Sequence, residues 1–133
     1  FQQHSVHHLG GSRFLMFDNH GADPRYGPSR LLLVDVATGQ ETTVFPNDAT
    51  PPELRKLFSE TAGKVDLSPD RQRAIVAFTW SGTAVEVRLE DGAVLRVFKA
   101  LGDVSQMADL DPDARRERAG LFKLYGVDYL ASP

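Results

Sequence analysis

The sequence has no cysteine, no long hydrophobic run and no excess of positive charge, and each absence excludes a class of protein. Without cysteine there is no disulfide, no thiolate metal ligand and no cysteine nucleophile. No apolar run approaches the roughly 20 residues that a membrane-spanning helix needs, so we predict no membrane span. Fifteen Lys and Arg against 18 Asp and Glu give a formal net charge of −3. This balance argues against a nucleic-acid partner, because such binding requires a basic surface.

The composition that remains is that of an ordinary globular protein. The chain has 133 residues, of which 41% are hydrophobic and 25% are charged, so it can bury a core. It begins at Phe1, with neither Met nor a signal-peptide pattern. We therefore expect it to be part of a longer protein.

Short apolar runs that are separated by turn residues predict an all-β fold. The first half contains such runs at 13–18, 30–36 and 41–45, and the second half at 73–78, 83–89 and 93–98. Gly39 and Gly92 each lie in a short turn between two of these runs, at a position suited to a positive φ. Each half is therefore predicted to form antiparallel hairpins.

The two halves also repeat each other. Val34, Gly39 and Phe45 recur 53 residues later, and Arg13 and Leu15 have counterparts 60 residues later. This spacing predicts two blade-like repeats of four strands, at about 2–45 and 63–98, within a partial β-propeller that covers 1–133. Chance similarity between two hairpins is the alternative. Two blades cannot close a propeller, so we expect open sheet edges that another polypeptide covers.

Two segments are predicted to be helical. Thr50 as a cap, Pro51 at the first position and Glu53 at the third indicate a short helix over 51–58. A second short helix is predicted at about 111–120, followed by a final strand at about 121–130.

Histidine is the residue type here that is best suited to catalysis or metal binding. All four histidines lie in the first twenty residues: His4, His7, His8 and His20. On a regular strand, His4 and His8 would share one face and His7 would lie on the other. His4 and His8 could hold a metal with Asp18 or Asp23 as a third ligand, whereas exposed polar residues at a strand end are the simpler alternative.

Arg30 directly precedes an apolar run, which places its guanidinium at the end of a strand. A guanidinium there can hold an oxyanion with two parallel hydrogen bonds. The alternative is an ordinary surface arginine.

Several of these segments together resemble the aryl-sulfate sulfotransferase family. The resemblance is carried by Gln3-His4, the strand 14–17 that continues into Asp18-Asn19, the Ser29-Arg30 pair and the stretch 121–130. It implies that the chain is the C-terminal portion of a six-bladed, periplasmic or extracytoplasmic propeller. Its main partner would be the remainder of the same propeller.

The resemblance also implies an activity and a set of site residues. The family is a class of transferase that moves a sulfuryl group from a phenolic sulfate ester to a phenolic acceptor, through a histidine and without a nucleotide donor. His4 and Arg30 match the residues that hold the sulfuryl oxygens and are the expected catalytic pair. Asn19 and His20 are the expected substrate-binding residues, and neither a cofactor nor a metal is expected.

The sequence departs from the family pattern at two places. His20-Gly21 replaces the glycine that usually follows Asn19, and no histidine follows His20, so the family's nucleophilic histidine has no counterpart. Lys64 stands 60 residues after His4. The alternatives are therefore a catalytically inert propeller that acts as a binding or scaffold domain, and a metal-binding propeller.

Overall fold

The computed structural model describes residues 3–60, 62–99 and 128–129. The predicted helix at 111–120 lies outside these residues, and of the predicted final strand only Asp128 and Tyr129 lie within them. The side chain of His4 also lies outside the described part. None of the described helices is long and apolar enough to cross a membrane.

The described residues form two four-stranded antiparallel sheets, which confirms the all-β prediction. Sheet 1 has the strand order β1 (Gln3–Gly10), β2 (Arg13–Asp18), β3 (Arg30–Asp35) and β4 (Gln40–Phe45). Sheet 2 has the order β5 (Lys64–Leu67), β6 (Arg73–Phe78), β7 (Thr83–Arg88) and β8 (Val94–Lys99). Single turns of 3₁₀ helix follow β2 and β6.

The sequence repeat corresponds to the strand register. Phe14 lies opposite Val34 in sheet 1, and their counterparts Ala74 and Val87 lie opposite each other in sheet 2. The same holds for His4, which pairs with Phe17 as Lys64 pairs with Ala77. The two sheets are thus equivalent in topology and in pairing, although the bulge on the last strand falls at different points, at Val44 on β4 and at Leu95 on β8.

The hydrophobic core lies between the two sheets. Residues of alternating positions point to the same face of a strand, so Leu15 and Phe17 from sheet 1 meet Val76, Val85 and their neighbours from sheet 2. Three fully buried phenylalanines form the centre, and the ring centroids lie 5.5 Å apart for Phe17–Phe78 and 5.7 Å apart for Phe45–Phe78. Such aromatic pairs add about 0.5–1.5 kcal/mol beyond their area burial.

The alternation predicted for the first strand is wrong, because β1 contains a bulge. His4 lies opposite Phe17 and His7 opposite Leu15, so Ser5 and Val6 on β1 lie opposite a single residue on β2. Ser5 has a φ of 51°, which accommodates the extra residue. The face that each histidine occupies is therefore set by the bulge and not by simple alternation.

The predicted helix at 51–58 is wrong as well, because this segment is a series of turns. The amides of Leu54, Arg55 and Leu57 each bond to the carbonyl three residues earlier. A run of eight residues is too short to form a stable helix by itself. The Arg55 guanidinium also bonds to the carbonyls of Asp48 and Thr50, at 2.6 Å each, which fixes the turn conformation.

Candidate anion site at one end of the sheets

The β2–β3 loop and residues 57–59 of the β4–β5 connection lie together at one end of sheet 1, opposite the β1–β2 and β3–β4 turns, since Ser29 N donates to Leu57 O and Asn19 Nδ2 donates to Ser59 O. At this end the last residue of β2, Asp18, pairs with the first residue of β3, Arg30. Cross-strand partners project to the same face, so the carboxylate and the guanidinium meet.

Asp18 and Arg30 form an ion pair that is largely buried. Arg30 donates to Asp18 Oδ2 from Nη2 at 2.5 Å and from Nε at 3.2 Å. The Asp18 side chain is 3% exposed and the Arg30 side chain is 29% exposed. Two of the five guanidinium N–H groups are used in this way, and within the described part of the chain the other three meet no acceptor.

His20 is attached to the same carboxylate. Its backbone N–H donates to Asp18 Oδ1 at 3.0 Å, and its φ of 55° turns the chain sharply after β2. The ring atom Nδ1 lies 3.2 Å from the carbonyl oxygen of Pro28. Because a carbonyl can only accept, Nδ1 carries the proton, and Nε2 of the neutral ring keeps its lone pair.

Gly27 allows the His20 ring to pack closely against the loop. A Cβ at this position would lie 3.0 Å from both Cε1 and Nδ1 of the ring. Gly27 also has a φ of 123°, which a residue with a side chain rarely adopts. The loop thus holds the imidazole in one orientation.

Asn19 links the end of β2 to the β4–β5 connection. It is fully buried, and its Nδ2 donates to the carbonyl oxygens of Ser59 at 2.5 Å and Ala62 at 3.2 Å. Ser29 closes the same cluster, because its Oγ donates to Ser59 O and accepts from Ser59 N. Among the described residues, Asn19 Oδ1 and Ser59 Oγ have no hydrogen-bond partner.

The other histidines lie elsewhere. His7 Nε2 bonds to the carbonyl oxygen of Val65 at 2.7 Å and so connects β1 to sheet 2. His8 Nε2 bonds to Gly11 O at 2.9 Å, at the β1–β2 turn. Asp23 is paired with Arg25, and within the described residues no three His, Cys, Asp or Glu side chains lie together as a metal site requires.

A second ionic cluster, which the sequence analysis missed, lies on the face of sheet 2 that points away from sheet 1. The Glu86 carboxylate, 3% exposed, contacts Arg73 at 3.4 Å and Arg96 at 3.0 Å. It also accepts a hydrogen bond from Tyr129 Oη at 2.8 Å. Tyr129 N donates to Asp66 Oδ2, so the cluster fixes residue 129 against β5 and β7.

Asp18 was also missed as the partner of Arg30, although a signal for it was available. Asp18 ends one predicted run and Arg30 begins the next, and consecutive antiparallel strands bring these two ends together. Glu86 could have been found as a lone carboxylate in an otherwise apolar run between Ala84 and Val87. Its contact with Tyr129 joins residues 43 positions apart and has no local signal.

Comparison of the sequence with protein-family models and with curated proteins found no match. The function is therefore inferred from the resemblance of short motifs and from the geometry of the side chains around Asp18.

Proposed function

We propose that this chain supplies two blades of a β-propeller that transfers a sulfuryl group from a phenolic sulfate ester to a phenolic acceptor. The observation that carries the proposal is the shared carboxylate of Asp18, which holds the guanidinium of Arg30 and the backbone of His20 side by side. A cation and an imidazole with a fixed tautomer are the two groups that this chemistry needs.

In this proposal Arg30 binds the sulfuryl oxygens. Negative charge is spread over the three terminal oxygens as the S–O bond breaks, and a preorganised cation lowers the barrier by stabilising it. Asp18 is a positioning residue, because it fixes the Nε–Nη2 edge of the guanidinium and directs the remaining N–H groups away from β2. Asn19 is fully buried, and we assign it a positioning role between the two loops.

A histidine nitrogen then attacks sulfur while the bond from sulfur to the phenolic oxygen breaks. The phenolate leaves with the electron pair, and the sulfuryl group remains on the imidazole. An acceptor phenol loses its proton as its oxygen attacks sulfur, and the free histidine is restored. We assign the nucleophilic role to Nε2 of His20, and a role in binding the sulfuryl oxygens to His4.

The proposal is tested with 4-nitrophenyl sulfate and the full protein. We expect a sulfohistidine that mass spectrometry locates at His20 and that a phenol discharges. His20→Gln should abolish this adduct, while the matched variant His8→Gln, at the opposite end of sheet 1, should keep it. An absence of labelling would contradict the proposal, and labelling at His4 alone would overturn the assignment of His20 as the nucleophile.

Arg30→Lys provides the second arm of the test. Because this variant keeps the positive charge beside buried Asp18, we expect folding to change little. It loses the planar guanidinium, which can donate two parallel hydrogen bonds to one group. Loss of one such donor lowers turnover by about 10²- to 10³-fold. Unchanged turnover of 4-nitrophenyl sulfate would remove Arg30 from the site.

One observation favours a second candidate, an inert binding or scaffold domain. The charge of Arg30 is already balanced by Asp18, so the pair satisfies itself without a ligand. In that case the full protein would form no sulfohistidine, and Arg30→Lys would alter only stability.

A further inference from the structure

A cleft of about 300 Å³ opens between the two sheets at the end opposite to the Arg30–Asp18 pair. Leu9, Leu15, Leu33 and Val44 of sheet 1 line it, together with Leu89 from the β7–β8 turn. The leucines at 9, 33 and 89 are only partly buried and pack against the core. The cleft therefore presents apolar surface to solvent beside a closed core.

Two arginines border this apolar surface. Arg13 begins β2 two residues before Leu15, and Arg71 lies in the β5–β6 turn with a φ of 56°. Neither forms an ion pair within the described part of the chain, and both are exposed. Among the described residues Glu90 is the one acid that lines the cleft, so the two arginines give this part of the lining a net positive charge.

Asp35 lies opposite Arg13 but does not satisfy it. The Asp35 carboxylate accepts from Ser12 Oγ at 2.7 Å and from the backbone N–H of Ala37 at 3.0 Å. These hydrogen bonds, with a smaller attraction from Arg13, hold the pKa of Asp35 below its usual value. Within the described ranges, the guanidinium of Arg13 thus keeps its N–H donors for another acceptor.

We propose that this cleft binds a small amphipathic carboxylate, with its hydrocarbon body against the leucines and its anionic head on Arg13 and Arg71. The volume lies at the lower limit of small-molecule pockets, which favours a compact medium-chain or aromatic acid. A guanidinium matches a carboxylate with two parallel hydrogen bonds, whereas a neutral head group would leave both arginines without this gain. The site lies at the other end of the sheets from Arg30 and does not depend on sulfuryl transfer.

The test is a titration of the full protein with octanoate, followed by calorimetry and by the leucine methyl resonances in NMR. We expect saturable binding that shifts the methyl signals of Leu33 and Leu89 but not that of Leu57, which lies at the other end. Octanol, which has the same hydrocarbon body and no charge, should bind about tenfold more weakly because it lacks the charge-assisted hydrogen bonds.

The arginine variants identify the head-group contact. Arg13→Gln and Arg71→Gln should each weaken octanoate binding by about five- to tenfold. Arg25→Gln removes the same charge from an 85% exposed side chain in the β2–β3 loop and should leave binding unchanged. The proposal is overturned by an absence of saturable binding, by equal affinity for octanol and octanoate, or by equal effects of all three variants.

Discussion

At the scale of single residues, Gly39 and Gly92 show two different reasons why a position needs glycine: a positive φ, and a lack of space for a side chain. They occupy equivalent turns in the two sheets and have nearly equal φ values, 72° and 69°. A Cβ at Gly39 would meet nothing within 4 Å, whereas a Cβ at Gly92 would collide with Val44 O and Asn47 Nδ2. The conformational cost of a side chain is therefore common to both positions, and the steric cost applies to Gly92 alone.

We expect Gly39→Ala to lower the free energy of unfolding by about 1–2 kcal/mol, the cost of a left-handed conformation. Gly92→Ala should cost about 1–3 kcal/mol more, because backbone atoms must move to admit the methyl group. Urea denaturation of the two variants measures the difference. Equal losses would show that the close approach of the β7–β8 turn to Val44 is not needed for stability.

Tyr129 gives a prediction about pH. Burial, and then its hydrogen bond to Glu86, raise the pKa of Tyr129 above its ordinary value of 10.0. The unfolded tyrosine loses its proton near pH 10 while the folded one keeps it, so the unfolded state binds fewer protons and stability falls as the pH rises above 10. Below pH 10 this contribution to stability is fully present.

Unfolding by urea at pH 8 and at pH 10.5 tests this sign. We expect the wild-type protein to lose more stability between the two pH values than Tyr129→Phe, which has no phenol to titrate. Tyr26→Phe, at a tyrosine that is 67% exposed, serves as the control and should behave like the wild type. A pH dependence that is the same with and without the Tyr129 hydroxyl would contradict the assignment.

At the scale of elements, the strands and the short turns at Gly39 and Gly92 could be predicted from the sequence, whereas the longer connections could not. The predicted runs 13–18 and 73–78 coincide with β2 and β6, because apolar periodicity and the flanking turn residues are local signals. The helix predicted over 51–58 does not form, because a favourable capping residue does not compensate for the short length of the segment. The Arg55 side chain also occupies the carbonyls of Asp48 and Thr50.

In the candidate site, too, residues could be predicted where the evidence is local in sequence, and not where it depends on distant contacts. Arg30 and His20 could be selected by residue type and position, but their partner Asp18 follows only from strand register. The bulge at Ser5 has no strong sequence signal, since serine is not a residue that usually adopts a φ of 51°. The face of His7 could therefore not be predicted from alternation.

At the scale of the whole molecule, the two sheets pack face to face and each retains a second face and two edges. His7 joins β1 to β5 through Val65 O, and Tyr129 N bonds to the side chain of Asp66 on the same strand. The first strand of sheet 1 thus contacts the first strand of sheet 2. This contact supports the proposal of blades arranged about a common axis.

Strand β8 is one edge of sheet 2, since it is paired with β7 alone among the described strands. Leu95, Val97 and Phe98 on this strand are each 42% exposed. A free edge with apolar side chains is a template for another strand.

We therefore predict that the 133-residue chain on its own self-associates as its concentration rises. Phe98→Lys should weaken this association by about tenfold, since a charge at the edge opposes strand pairing. Val36→Lys makes the same change in charge at a 62% exposed residue just after β3, outside any strand, and should leave the association as it is. Sedimentation velocity over a range of concentrations measures the three proteins side by side. A monomer at every concentration, or equal effects of the two lysines, would show that β8 is not a pairing edge.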